Sequence, residues 1–198
     1  MTSKTSHILV VLSAFLAGLV IFLGVFFYAT GQLGGSAPGP SAIGGPFNLI
    51  DQNGKPVTDQ DLKGRPALVF FGYTHCPDVC PTTLFDVSEV MRALGPDADR
   101  AGVLFVTVDP ERDTAPVLKD YLSSFDSHLR AATGDPKAID AAERAYRVYA
   151  KKVPGENGDY SMDHTALIYL MDKQGRFVAP FSLKRRPADA AAELRKYF

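Results

Sequence analysis

Residues 67–84 read ALVFFGYTHCPDVCPTTL, and the change of character along this stretch decides the fold. The first five residues, ALVFF, are apolar without interruption, as expected of a strand covered on both faces. Next come two cysteines four positions apart, Cys76 and Cys80, each followed by a proline that limits how the loop can bend. From about Pro81 the pattern turns helical. Leu84, Val87, Met91 and Leu94 recur at spacings of three and four, and Gly95 closes the run. A buried strand therefore feeds a helix through a turn that carries two thiols.

Working outward, residues 103–108 (VLFVTV) predict a second buried strand, followed by DPERDT and a helix near residues 115–125 with Thr114 as its N-cap. Asp135-Pro136 predicts another helix start, in the favoured order of cap then proline. That helix is expected to reach about Ala150, burying Ile139, Ala142, Tyr146 and Tyr149. Upstream, residues 47–51 and 55–57 flank an Asn-Gly turn and predict a hairpin. Downstream, residues 165–171 and 176–181 predict a second hairpin, and Pro187 opens a last helix running to Phe198. A β-α-β unit and a β-β-α unit around one sheet predict an α/β, thioredoxin-like fold with an N-terminal hairpin and an inserted helical segment.

The amino-terminal region differs in kind. Residues 8–28 contain no charge, and this run of 21 residues would be ~31 Å long as a helix, which matches a hydrocarbon core of ~30 Å. It is too long for the apolar region of a cleaved signal peptide. Lys4 precedes the run, and no Lys or Arg follows until Lys55, so the bulk of the chain is expected on the outer side. The predicted organisation is a cytoplasmic stretch (1–7), a transmembrane anchor (8–28), a Gly/Pro-rich tether (29–46) and a folded domain (47–198). A bacterial inner membrane with the domain facing the periplasm is the simplest placement. The net charge of −1 gives no sign of a nucleic-acid partner.

Two cysteines so close together close too small a loop to staple a fold, so their use is expected to be chemical. Sites in such sheets form beyond the carboxyl ends of the parallel strands, which is where Cys76, Cys80 and Asp109 fall. The strand at 165–171 leads into a hairpin and should run antiparallel, bringing Asp163 and His164 to the same edge. Two thiolates and an imidazole suit copper, the sulfurs favouring Cu(I). The expected metal ligands are Cys76, Cys80 and His164. Cys80, placed just before Pro81 at the predicted helix start, is expected to have a lowered pKa. Around this set, Asp78 reads as a turn former, Asp109 as a cap of DPERDT, Asp163 as a solvated neighbour and Met162 as packing. His75 ranks below His164 because it would have to fold back to share the ion. His164 follows residues 151–163 (KKVPGENGDYSMD), read as a long mobile connection able to swing the ligand in and out.

With these residues in place, the chain resembles the Sco (SenC) family of copper-binding proteins of cytochrome c oxidase assembly. The resemblance rests on FFGYTHCPDVCPTTL (70–84), VDPERDT (108–114) and DHTALIYLMD (163–172), in order, and covers residue 47 to the end. It implies a thioredoxin fold, copper on Cys76, Cys80 and His164, and delivery of copper to the binuclear centre of oxidase subunit II. Other periplasmic copper chaperones are further candidate partners. A thiol–disulfide oxidoreductase, using Cys76 and Cys80 as a redox pair to keep that subunit's cysteines reduced, is the alternative. The CxxxC spacing, and the absence of proline in Ser161-Met162-Asp163-His164, favour a ligand site. A structural zinc site would want a fourth ligand.

Overall fold

The computed structural model describes residues 2–29 and 43–198, with the side chains of the amino-terminal helix described only in part. Residues 30–42 of the predicted tether lie outside the described residues. The chain falls into two compact units, one ending at Pro40 and the other spanning Ser41–Phe198. The first contains α1 (Thr2–Ala29), a helix of 28 residues that includes the predicted apolar run. Among the described residues no helix is established as long and apolar enough to cross a membrane.

The second unit is built on β3 (Ala67–Gly72), whose six residues are all buried. It lies parallel to β4 (Gly102–Thr107), with Phe70 opposite Phe105. It lies antiparallel to β8 (Ile168–Met171), with Phe70 opposite Ile168. Burial on both faces follows from what covers it. On one face Phe71 meets Tyr146 and Tyr169 at ring separations of 5.3 and 6.1 Å. On the other Phe70 stacks with Phe105 at 5.9 Å. α2 (Val79–Leu94) buries Leu84, Val87, Met91 and Leu94, as its periodicity predicts, and packs against α5 (Pro187–Arg195).

The full sheet has seven strands in the order β2-β1-β5-β4-β3-β8-β9. The outer strands are the predicted hairpins, β1 (Asn48–Asp51) with β2 (Pro56–Thr58) and β8 with β9 (Phe177–Pro180). β5 (Leu129–Thr133) corrects the sequence reading. The inserted segment is not purely helical, because α3 (Ala115–Leu122) and α4 (Pro136–Tyr146) are separated by this strand, which lies parallel to β4. Its sequence, LRAAT, has little intrinsic strand preference. Pairing with β4 on one side and β1 on the other imposes the conformation.

Two further corrections bear on the site. α4 stops at Tyr146 because Arg147 adopts a left-handed conformation (φ 58°), and Tyr149 turns outward to 54% exposure instead of joining the core. The segment read as a mobile connection is a β-hairpin, β6 (Ala150–Pro154) and β7 (Tyr160–His164), paired from Ala150↔His164 to Pro154↔Tyr160. It forms a separate two-stranded sheet.

Candidate metal centre

The chain leaves β3 at Gly72, where a side chain has no room: a Cβ there would stand 2.8 Å from the Cys80 Sγ and 2.8 Å from the Phe105 ring. The backbone thus comes directly under the second cysteine. Thr74 ties the next part of the loop to buried Asp113, donating its N–H at 2.9 Å and its hydroxyl at 2.6 Å. The Thr107 hydroxyl also donates to Asp113, at 2.6 Å. Asp78 occupies the N-cap position of α2, so the helix starts at Val79 and Cys80 lies inside its first turn. The Cys80 N–H donates to the Cys76 Sγ at 3.3 Å. Both cysteines are free thiols, Cys80 buried and Cys76 half-buried.

His164 reaches this loop from the end of β7. Its ring stands edge-on to Tyr73, with centroids 5.7 Å apart, and 6.5 Å from Phe70. The Nδ1 lies 3.2 Å from the Thr165 carbonyl oxygen, which can only accept. Nδ1 therefore carries the proton, and Nε2 presents its lone pair towards the Cys80 Sγ, 3.6 Å away. Burial lowers the His164 pKa below its ordinary value, which favours the neutral, ligating form.

The thiol runs the other way. Burial pushes the Cys80 pKa well above the ordinary cysteine value, with Cys76 adding to the effect. This overturns the lowered pKa expected from the helix start. The desolvation of a buried sulfur outweighs the partial charge of a helix terminus, and the Tyr73 backbone N–H directed at it does not offset it.

The ligand atoms of Cys76, Cys80 and His164 all lie within 4.8 Å of one another, and no other group of three His, Cys, Asp or Glu side chains among the described residues could share an ion. Two sulfurs and one nitrogen form a soft, three-donor set that fits copper and falls short of the four ligands of structural zinc. The remaining candidates are elsewhere. His75 is half-exposed, with Nδ1 3.1 Å from the Thr74 hydroxyl. Asp163 is exposed, and Met162 packs against the core. Asp109 is buried but accepts from Arg112 Nε and the Tyr160 hydroxyl, at 2.5 and 2.8 Å. The sequence reading did not single out Tyr73, Asp113, Arg112 or Tyr160. Asp113 and Arg112 stand in the VDPERDT motif and Tyr73 in FFGYTHCPDVCPTTL, which were the available signals.

Fold and site define a class: a thioredoxin-like domain with a Cys–Cys–His cluster at the carboxyl edge of its sheet that could hold a metal ion. Comparison with known proteins narrows it. The family model described as SCO1/SenC matches residues 35–198. The chain is 40% identical over 159 residues to the mouse mitochondrial SCO1 homolog, covering 79% of this chain and 56% of that protein. It is 40% identical over 148 residues to the Arabidopsis thaliana mitochondrial SCO1 homolog 1, covering 73% and 43%. It thus spans about half the length of these relatives. The structure of Bradyrhizobium japonicum ScoI with copper bound is similar at a TM-score of 0.78 and 65% identity, covering 79% of this chain and 99% of that one. The chain belongs to the SCO1/SenC family.

Proposed function

We propose that this protein is a membrane-anchored copper metallochaperone, which binds one copper ion through Cys76, Cys80 and His164 and supplies it to the binuclear copper centre of cytochrome c oxidase subunit II. The observation that carries the reading is the convergence of two thiols and a tautomerically fixed imidazole within 4.8 Å, in a family whose related structures include one with copper bound. An ion held by three donors keeps a position open for a ligand of the acceptor, which exchange requires. The buried Cys80 gives the soft anionic ligand once its proton has left, and the half-buried Cys76 gives the face from which an acceptor can approach.

Anchoring is supported by α1, whose side chains Val10, Leu12, Phe15, Leu16, Val20 and Ile21 are all more than half exposed. A helix apolar all round needs an apolar surrounding. The single Lys4 before it supports an outward-facing, periplasmic domain. Protease accessibility in spheroplasts tests this: digestion of the domain before the inner membrane is opened is the expected result, and digestion only afterwards refutes the orientation.

A thiol–disulfide exchange role stands beside this reading, because the two sulfurs are close enough for the Cys80 N–H to contact the Cys76 Sγ. The raised pKa of Cys80 counts against it as an attacking thiolate. Copper stoichiometry of the purified chain with and without reductant separates the two. One Cu(I) per reduced chain and none per oxidised chain is expected, and equal binding in both states removes the cysteines from the site.

A further inference from the structure

The hairpin that carries His164 is not part of the main sheet: β6 and β7 pair only with each other. Something else must fix the distance from His164 to the cysteines. Beyond the packing of the His164 ring on Tyr73 and Phe70, the contacts that hold the hairpin converge on one side chain. Arg112, in the turn between β4 and α3, places its guanidinium 3.7 Å from the centre of the Tyr160 ring at the start of β7. Its Nη1 donates to the Tyr160 carbonyl at 2.9 Å and to Asp159 Oδ1 at 3.2 Å. Its Nε donates to Asp109, which accepts the Tyr160 hydroxyl on its other oxygen. Lys152 on β6 adds an exposed link to Glu111 of the same turn, at 2.6 Å. Four residues on from Tyr160, with Met162 between them on the same side of the strand, stands His164.

The same short turn also grips the cysteine loop, because Asp113 holds Thr74 by two hydrogen bonds. Residues 109–113 therefore form a bracket. One end fixes the thiols, and the other fixes the imidazole.

We infer that Arg112 is the positioning residue for the third ligand, a latch that holds the β6–β7 hairpin shut so that His164 Nε2 meets Cys80 Sγ. It touches neither sulfur nor imidazole and acts through Tyr160 and β7, and through the Tyr73 ring, 5.9 Å from its guanidinium, against which His164 packs. The latch rests on the copper reading above.

The test uses the full chain in detergent, measuring Cu(I) affinity against a chromogenic chelator and ligand count by X-ray absorption. Arg112→Gln should weaken affinity by at least about tenfold, as loss of an outer-shell partner does. The nitrogen scatterer should be lost and both sulfurs kept, and β6–β7 amides should exchange faster. Tyr160→Phe, which removes only the hydroxyl to Asp109, should move all three in the same direction by less, and it tests the latch should Arg112→Gln fail to fold. In the His164→Ala background, Arg112→Gln should change affinity by less than about twofold, since the two act in series. An unchanged affinity in Arg112→Gln, or equal losses in both backgrounds, overturns the latch. Failure of the unsubstituted chain to bind Cu(I) would instead refute the copper reading.

Discussion

The Nε2 of His164 stands 3.6 Å from the Sγ of Cys80, although 84 residues separate them in the chain. Neither residue sits on the long, freely swinging loop that the sequence suggested for the histidine. Cys80 is held in the first turn of α2 against Gly72, and His164 ends a β-strand. The two meet because β3 and β8 are antiparallel neighbours, so the end of one strand and the start of the other share an edge.

His164→Ala should separate metal binding from thiol chemistry. Cu(I) affinity should fall by at least about tenfold, since a lost ligand costs no less than a lost outer-shell partner, while the potential of the Cys76–Cys80 couple shifts little. Loss of the ring's contacts with Tyr73 and Phe70 should cost about 1 kcal/mol of stability. Chelator competition and a thiol redox titration check this. Wild-type affinity in the variant would place His164 outside the site.

Acidification should release copper. The Cys80 thiol is protonated at neutral pH because burial raises its pKa, so copper must displace at least that proton. Apparent affinity should fall about tenfold per pH unit for each proton displaced. His164, its pKa held below the ordinary value, should begin to compete only below about pH 6.5. For the metal-free fold the raised thiol pKa has the opposite reach. Its contribution to stability is full below about pH 8.5, where the unfolded thiol ionises, and is lost as pH rises beyond it. Binding titrations from pH 5 to 8 and melting curves from pH 7 to 10 measure the two effects.

Gly72→Ala should disturb the site through packing alone. The new Cβ would press on Cys80 Sγ and the Phe105 ring, both at 2.8 Å, in a region with no free space. Overpacking of this kind costs about 1–3 kcal/mol, and the displaced sulfur should weaken copper binding as well. Denaturant unfolding and copper titration of the variant would show a loss in both. A loss in neither would mean that the loop relaxes freely.

Glu143→Gln should stabilise the domain at neutral and alkaline pH. Burial on α4, with Asp140 nearby, pushes this carboxyl up to about 7 from an ordinary 4.5. The native state therefore holds a proton that the unfolded chain has lost, and stability falls as pH rises from about 4.5 to 7, then levels off. Discounted for partial exposure, the gain from glutamine at pH 8 should be about 1 kcal/mol. Melting temperature against pH, for both proteins, should show the slope in one and not in the other.

The elements read directly from the sequence were those whose stability is local or whose environment is uniform. β3 announces itself because both its faces are covered by aromatic residues, which leaves no room for polar ones. α2 does so because one stripe of it is buried, and the hairpin at residues 48–58 because Asn53-Gly54 supplies a turn of its own. The three candidate ligands were legible too, since thiols and imidazole have few other uses at a sheet edge.

The tertiary structure alone decided the rest. β5 is a strand because β4 and β1 pair with it, not because LRAAT prefers to be one. The β6–β7 hairpin carries too many polar and turn residues to show a strand period, and it is held from outside by Arg112, which grips Tyr160. The pKa of Cys80 followed burial in place of its position on the helix, because desolvation depends on every neighbour in space and a helix terminus only on its own chain. Chemical identity was written in the sequence. The distances at which those groups act came from contacts between segments that the sequence keeps far apart.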